Sequence, residues 1–302
     1  MKTILVIYNS KSGNDNKEHL VSKLKHFFLN HGFSEENIHF TEPESANQVF
    51  NIAKEASLKK TDLIVSMGGD GTINKVAGGI YAGGSHSVLG ILPSGSVNNF
   101  AKALAIPQDT DAAMANLISG RPKAIDICHV NQDTMISSLT LGFLADIAAG
   151  VTSKDKRRLG KLAFFKDVWR VLKRNRAYKL SLFYQGEVHQ IRTKILLVTL
   201  THSVAGMTGF NPKAKVDDGL LCCYYIDKLK LWQILLNLRQ IRRGQFDKLS
   251  DISYFETDQL TIKNRSRRHN PVTRLEGDSS SQLPVTLSVI PQSINVMVPY
   301  QD

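Results

Sequence analysis

Gly68-Gly69-Asp70-Gly71-Thr72 lies between an apolar run, Asp62 to Met67, and a helical pattern that begins at about Ile73. A strand that enters a helix through a glycine-rich turn can present free backbone N–H groups to a phosphate. Asp70 adds a carboxylate inside this turn, and it would repel phosphate unless a metal ion or a proton relay used it. The alternative interpretation is a tight turn in which Asp70 serves only as a cap.

Two further strand-to-loop junctions accompany this turn in the first third of the chain. Thr3 to Tyr8 and Val88 to Pro93 are apolar runs of strand length, and each leads into a loop rich in Gly, Ser and Asn. The carboxyl ends of parallel strands meet at one edge of an open sheet, where ligands bind. The three loops therefore predict a phosphate-binding crevice, although neither standard glycine fingerprint for nucleotides is present.

Helical patterns alternate with these strands. Lys17 to His31 has one apolar face and is followed by Gly32, a good residue for a helix end. Ile38 to Thr41 predicts a short strand, and Ser45 with Gln48 predicts a capping box for the next helix. Strands and helices that alternate at this spacing are typical of a layered α/β sheet with parallel strands.

The pattern changes after Ile125-Asp126 to short strand-like runs separated by turn residues. The runs are Lys179 to Tyr184, Lys194 to Thr201, Leu220 to Ile226, Gln259 to Lys263, Val285 to Ile290 and Ile294 to Val298. The predicted fold class is therefore an α/β N-terminal nucleotide-binding domain followed by a mainly antiparallel β C-terminal domain.

The formal charge of +11 is concentrated in two segments. Lys154 to Lys179 carries +9 and Asp227 to Lys248 carries +4, so the rest of the chain has a charge of −2. Both segments have apolar residues at helical spacing. They predict either helices that pack on the protein with solvated charges, or helices that dock on an anionic membrane surface. Nucleic acid would also fit the charge, but no zinc-finger spacing or RNA-binding aromatic motif supports it.

Apolar runs and cysteines limit the cellular setting. Runs such as Ile4 to Tyr8 are far shorter than the ~18 residues that span a bilayer. The apolar stretch after Lys2 is also too short for a signal peptide. Three cysteines, two of them adjacent at Cys222 and Cys223, do not form a disulfide framework. We therefore expect a cytoplasmic protein in a reducing compartment, with peripheral association to membranes.

Taken in order, the motifs resemble the catalytic domain of the diacylglycerol kinase superfamily, which also holds sphingosine kinases and, more distantly, NAD kinases. The likeness covers nearly the whole chain and is closest to the soluble bacterial diacylglycerol kinase-like lipid kinases. The residues that carry it are Tyr8-Asn9 to Gly13, Thr41, Gly68 to Thr72, Leu92 to Ala101, Ile125-Asp126, Lys215 to Leu220, Gly277 with its flanking acids, and Leu283-Pro284.

The resemblance implies a domain plan and a nucleotide site. Residues 1–125 would form the nucleotide-binding domain, joined by a returning segment at about 291–302, and residues 126–290 would form a β-rich domain for a lipid substrate. ATP and Mg²⁺ would be the cofactors. The residues implied to contact ATP are Asn9, Ser10, Lys11, Ser12, Gly13, Asn14, Asp15, Thr41, Gly68, Gly69, Asp70, Gly71, Thr72, Ile73, Asn74 and Ser96.

The resemblance also implies the catalytic acids. The family base is the last residue of an Asp-Gly-Glu triplet, which here reads Glu276-Gly277-Asp278, so that the two acids have exchanged types. Asp278 would be the base, with one methylene less than glutamate, and Asp70 and Asp126 would be electrostatic partners. A second departure is Asn99, where the family usually has aspartate.

A structural cation is implied at the Asp217-Asp218 turn. Asp218 would bind it through its carboxylate, and Lys215 and Leu220 through their backbone carbonyls. Oxygen ligands of this kind suit Mg²⁺ or Ca²⁺. A hairpin turn with a solvated pair of acids is the alternative interpretation.

The expected function is an ATP- and Mg²⁺-dependent lipid kinase that phosphorylates the hydroxyl of a diacylglycerol-like lipid at a membrane surface, without a nucleic-acid partner. Two alternatives stay open. A soluble-substrate kinase of the NAD-kinase type would give the basic segments no role, and a catalytically weak lipid- or nucleotide-binding protein is suggested by Asn99 and the exchanged triplet. The sequence leaves open whether the chain forms a homodimer.

Overall fold

The computed structural model describes residues 3–9, 17–142, 177–203, 214–226, 252–266 and 270–300. Three predicted features lie outside the described residues. They are Ser10 to Asp15 of the first loop, the basic segment Lys154 to Lys179 apart from its last three residues, and the basic segment Asp227 to Lys248. Within the described part of the chain, no helix is long and apolar enough to cross a bilayer.

The described residues form helices and strands with the following bounds. The α-helices are α1 (Lys17–Asn30), α2 (Ala46–Leu58), α3 (Asp70–Ala82), α4 (Asn99–Ala103) and α5 (Thr110–Ser119). The strands are β1 (Ile4–Tyr8), β2 (Ile38–Thr41), β3 (Leu63–Gly68), β4 (Val88–Pro93), β5 (Arg121–Val130), β6 (Asp133–Met135), β7 (Ser138–Gly142), β8 (Tyr178–Tyr184), β9 (Glu187–Thr193), β10 (Ile195–Thr199), β11 (Leu221–Ile226), β12 (Ile252–Thr257), β13 (Gln259–Asn264), β14 (Val272–Leu275), β15 (Asp278–Gln282) and β16 (Val285–Val298).

The N-terminal half is a parallel sheet with helices on both faces, as the sequence predicts. Its strand order is β2-β1-β3-β4-β16, and each neighbouring pair in this order is parallel. One face packs on α2 and α3 through residues such as Ile7 and Ile64. The other face packs on α1 and α5 through Val6 and Val65. Because both faces are covered, every residue of β3 is buried.

The C-terminal half is an antiparallel β sandwich, which confirms the predicted fold class. One sheet has the order β12-β11-β10-β7-β14-β15, and the other is the antiparallel continuation β16-β13-β8-β9 of the first sheet. One apolar cluster joins the two sheets. Leu139 of β7 and Val198 of β10 come from one sheet, and Leu182 of β8 and Leu260 of β13 come from the other. The three cysteines of the chain are buried and free, as their lack of spacing indicates.

β16 connects the two halves. The sequence predicts two strands at 285–290 and 294–298, whereas the structure has one strand with a register irregularity between Ile290 and Ile294. Before the irregularity β16 pairs with β13, and after it β16 pairs with β4. β5 runs antiparallel to β16 along both parts. It places Ile127 in the apolar cluster between the parallel sheet and α2 and α3, which we call the first core, and Cys128 in the cluster of the sandwich, the second core.

Candidate active site

The predicted phosphate loops lie at one edge of the parallel sheet. Thr41 ends β2 opposite Ile7 of β1, and Gly68 ends β3 opposite Pro93 of β4. Asn9, which follows β1, is at the same edge. The structure therefore brings together the ends of β1 to β4. The loops that follow β3 and β4 contact each other directly.

The loops after β3 and β4 contact each other through backbone atoms. A Cβ atom on Gly95 would lie 2.5 Å from the Cα of Gly69, and a Cβ on Gly68 would lie 2.7 Å from the Cβ of Thr72. The N–H of Ser94 donates to the carbonyl of Gly68 at 3.3 Å. Side chains larger than hydrogen do not fit at 68 and 95, which explains why glycine occupies both positions.

Asp70 is a cap, but for a helix of the neighbouring loop. Its Oδ2 accepts a hydrogen bond from the N–H of Asn99 and its Oδ1 from the N–H of Phe100, both at 3.1 Å. These N–H groups belong to the first turn of α4. The carboxylate of Asp70 therefore ties the loop after β3 to the loop after β4, and its negative charge stays at the crevice.

Asn98 closes the loop after β4, a role that the sequence analysis missed. Its backbone is left-handed, with φ at +55°. Its Oδ1 accepts from the N–H of Gly95 at 2.9 Å, and its Nδ2 donates to Gln108 at 3.2 Å. Asparagine tolerates this conformation well, so an Asn shortly after a Gly-Ser pair is the signal that could have indicated the turn. Ser96 is exposed on the same loop.

The first turns of α3 follow the predicted phosphate loop and also pack against the β-rich half. The N–H groups of Thr72 and Ile73 donate to the carbonyl of Gly69, which begins the helix earlier than predicted. Ile73 is fully buried in the first core. The side chain of Asn74 donates to the carbonyl of Thr134 at 2.7 Å. The side chains of Ile73 and Asn74 thus pack within the protein. Only their backbone atoms could contact a nucleotide, and that contact stays a prediction.

Asp278 lies directly against the first turn of α3. A Cβ atom on Gly71 would lie 2.7 Å from the Oδ2 of Asp278. Asp278 is the first residue of β15 and is exposed. The structure therefore places the predicted base against the predicted phosphate loop, although the two are about two hundred residues apart in sequence.

Glu276 has a strongly perturbed carboxyl group. Its Oε1 accepts hydrogen bonds from the N–H groups of Ile136, Ser137 and Ser138 at 3.0, 2.7 and 3.4 Å. Burial raises the pKa of Glu276 to about 8, and the negative charge of Asp70 adds to the rise, although the three N–H groups oppose it. The sequence analysis gave Glu276 no role, because nothing in its spacing indicated these backbone partners.

Asp126 occupies a different place. Its Oδ2 accepts from the N–H of Gly219 and its Oδ1 from the N–H of Gln292, both at 2.7 Å. Burial raises its pKa, and the charges of Asp218 and Asp217 raise it further, whereas the two N–H groups lower it. Within the described residues, the side-chain hydrogen bonds of Asp126 run to these two loops and not to Asp70 or Asp278.

The Asp217-Asp218 turn is closed by its own carboxylate. Asp218 accepts from the N–H of Lys215 at 3.2 Å and from the N–H of Leu220 at 3.1 Å. Lys123 pairs with Asp217 at 3.0 Å. Nowhere in the described ranges do three or more His, Cys, Asp or Glu side chains converge as a metal centre. The carboxylate of Asp218 therefore organises this turn, and the cation at Lys215, Asp218 and Leu220 stays a prediction.

Comparisons with known proteins agree on one family. The diacylglycerol kinase catalytic domain matches residues 3–130, and the YegS C-terminal NAD kinase beta sandwich-like domain matches residues 137–298. The chain is 31% identical to a diacylglycerol kinase of Bacillus subtilis strain 168 over 301 residues, which cover 99% of this chain and 97% of that protein. It is 28% identical to a diacylglycerol kinase of Staphylococcus aureus strain Newman over 247 residues, which cover 82% and 78% of the two chains.

Solved structures share the fold. A candidate diacylglycerol kinase from Bacillus anthracis strain Sterne matches with a TM-score of 0.81 at 21% identity, over 98% of this chain and 95% of that one. A second structure described in the same way, from the same organism, matches with a TM-score of 0.77 at 20% identity, over 98% and 97%. Both halves of the chain are therefore arranged as in these proteins.

Proposed function

Because the chain belongs to the diacylglycerol kinase family, whose members are lipid kinases that phosphorylate an alcohol, we propose that it transfers the γ-phosphoryl group of ATP to the hydroxyl of a diacylglycerol-like lipid. The observation that carries this proposal is the contact between the Asp278 carboxylate and the first turn of α3 at Gly71. The proposed base and the proposed phosphate-binding N-terminus of α3 would meet there, which is the arrangement that phosphoryl transfer to an alcohol requires.

The nucleotide would bind at the edge formed by the ends of β1 to β4. Backbone N–H groups of Gly69 and Gly71 would donate to its phosphates, and the absence of side chains at these positions allows a close approach. Thr41, Ser96 and the loop Asn9 to Asp15 complete the proposed site. Mg²⁺ would enter as the complex with ATP and offset the charge on the transferred group. Asp70 would hold the two loops together and face this complex with a negative charge.

Asp278 would take the proton of the lipid hydroxyl. As the hydroxyl oxygen forms its bond to the γ-phosphorus, the bond between that phosphorus and the β–γ bridging oxygen breaks, and ADP leaves. The proton moves to the carboxylate of Asp278, which is exposed and therefore accessible to a substrate. We propose that Asp126 acts at a distance, by holding the turn that contains Gly219 against β16.

The domain plan and the membrane contact are part of the same proposal. Residues 1–125 with the returning segment 291–302 would bind the nucleotide, and residues 126–290 would bind the lipid. The basic segments Lys154 to Lys179 and Asp227 to Lys248 would attract an anionic bilayer, since they contain all of the excess positive charge. Dimer formation stays a prediction that bears on neither role.

The test is a phosphorylation assay with labelled ATP and four acceptors, namely a diacylglycerol, a monoacylglycerol, a long-chain amino alcohol and NAD. Wild type is compared with Asp278→Asn and with Asp111→Asn, an exposed aspartate on α5 that serves as the control. We expect the diacylglycerol to be labelled. We also expect Asp278→Asn to lose ~100-fold or more in kcat, as removal of a general base does.

Three results would contradict the proposal. Labelling of NAD instead of lipid would favour the soluble-substrate alternative. ATP binding without any labelled product would favour the catalytically weak binding protein. Equal turnover by Asp278→Asn and Asp111→Asn would remove Asp278 from the mechanism.

A further inference from the structure

The hairpin that carries Asp278 turns through two residues with left-handed backbones. Leu275 of β14 pairs with Asp278 of β15, so that Glu276 and Gly277 make the whole turn. The φ angle is +53° at Glu276 and +90° at Gly277. Such two-residue turns favour Asn, Asp or Gly at the first position, because glycine has no steric cost at positive φ and the short Asn and Asp side chains tolerate it by bonding to nearby backbone. A glutamate at 276 therefore calls for a compensating contact.

The compensating contact is the bond of Glu276 to the backbone of residues 136–138. The side-chain Oε1 accepts the three N–H groups of this segment, the shortest bond being that from Ser137 at 2.7 Å. The main-chain N–H of Glu276 donates to the carbonyl of Ser138 at 3.0 Å. The turn is thus held by its side chain and its main chain against the same three residues.

The 136–138 segment is itself fixed to both halves of the molecule. Ile136 is buried in the first core. The carbonyl of Ser137 accepts from the N–H of Leu200 at 2.9 Å, and Ser138 begins β7, which pairs with β10 and β14. Glu276 therefore anchors the turn to a part of the protein that cannot shift without disturbing packed residues.

Building on the proposed role of Asp278 as the base, we propose that Glu276 is a positioning residue that sets where the Asp278 carboxylate meets α3. The two residues are separated only by Gly277, and the Oδ2 of Asp278 touches the first turn at Gly71. An aspartate at 276 would be one methylene shorter and could not keep the three bonds without moving the turn. A misplacement of about 1 Å near reacting groups lowers rates by about 100-fold.

The charge state of Glu276 supports a role inside the protein. The charge that acts on it is that of Asp70, and the guanidinium of Arg274 donates to the carbonyl of Gly277 in the same turn at 2.9 Å. Burial raises the pKa of Glu276 to about 8, so its surroundings favour the neutral, protonated carboxyl. Glutamine matches this neutral form in shape and keeps an oxygen that accepts the same N–H groups.

The experiment is a double-mutant cycle at positions 276 and 278. Glu276→Asp, Asp278→Glu and the double variant are compared with wild type for lipid phosphorylation, with Glu276→Gln as the conservative change. Glu55→Gln, at an exposed position on α2, is the control. We expect Glu276→Asp to lower kcat about 10- to 100-fold while KM for ATP changes less than about twofold. Glu276→Gln should lose less than Glu276→Asp.

The double variant should recover part of the loss, because a longer base at 278 makes up for a turn that has moved. Hydrogen exchange at residues 136–138 gives a readout that needs no substrate, and Glu276→Asp should speed it while Glu276→Gln should not. Additive losses in the cycle, or unchanged exchange in Glu276→Asp, would overturn the positioning role. A wild type that labels no lipid would overturn the proposed function instead, and the exchange measurement would still decide the role of Glu276.

Discussion

Gly71→Ala places a methyl group where the carboxylate of Asp278 now lies. The new Cβ would be 2.7 Å from Oδ2 of Asp278, whereas an ordinary contact of these atoms is no closer than 3.4 Å, so the carboxylate must move by the difference of 0.7 Å. Only the end of an exposed side chain has to give way, so the fold can absorb the change. Alanine is also the better helix former in the first turn of α3, by up to ~1 kcal/mol.

We therefore expect a protein that is at least as stable as wild type but a poorer enzyme. A shift of 0.7 Å in the base corresponds to a loss in kcat of about 10-fold or more. Stability is measured by urea unfolding and activity by lipid phosphorylation. Asn51→Ala, at an exposed position on α2, is the control because it improves a helix far from the site. If Gly71→Ala retains the wild-type kcat, the contact between Asp278 and α3 has no part in catalysis.

Three further predictions concern single carboxylates. Asp70→Ala should lower kcat ~100-fold or more. Since it also removes the cap of α4, it should lower the free energy of unfolding, measured by urea titration, by ~1 kcal/mol. An unchanged kcat would contradict the role of Asp70. The pKa of Glu276 is raised to about 8, so the folded protein binds the proton of this carboxyl more tightly than the unfolded chain does. The resulting contribution to the free energy of unfolding is fully present below the ordinary carboxyl pKa and is lost as the pH rises through 8. The melting temperature of wild type should therefore fall more between pH 5 and 8.5 than that of Glu276→Gln, and parallel curves would contradict the raised pKa. Asp218→Ala should lower the free energy of unfolding by ~1 kcal/mol, because two N–H groups of its turn lose their acceptor. Urea titration with and without added Mg²⁺ measures this loss. A loss that appears only with Mg²⁺ would instead support the cation.

The sequence predicted the parallel half well because its signals are strong and local. Apolar runs such as Val88 to Pro93 coincide with strands, and Ser45 caps α2 by accepting from Gln48 as its spacing predicts. The polar strands were missed because they lack such a local apolar signal. β15, Asp278–Gln282, has mostly exposed side chains and no apolar alternation, so that only its pairing with β14 makes it a strand.

The site was predicted in part. Local motifs located the loops at Gly68 and Ser94 and, through the resemblance, Asp278. The partners of each carboxylate could not be predicted, because they are backbone N–H groups brought close by the fold. Asp70 caps a helix that begins 29 residues later, and Glu276 binds a segment 138 to 140 residues earlier. Backbone donors have no residue type, so the sequence carries no sign of them.

The position of β16 has a consequence for synthesis of the chain. The strand that fills the centre of the first sheet, between β4 and the antiparallel strands, follows all the other described strands in the chain. Ile294 and Val296 belong to the first core, which therefore stays incomplete while the ribosome is still translating the second half. The nascent N-terminal region exposes apolar surface until β16 emerges, so a product that stalls before β16 is a target for chaperones and proteases. The parallel sheet gains the strand beside β4 only when β16 has been made.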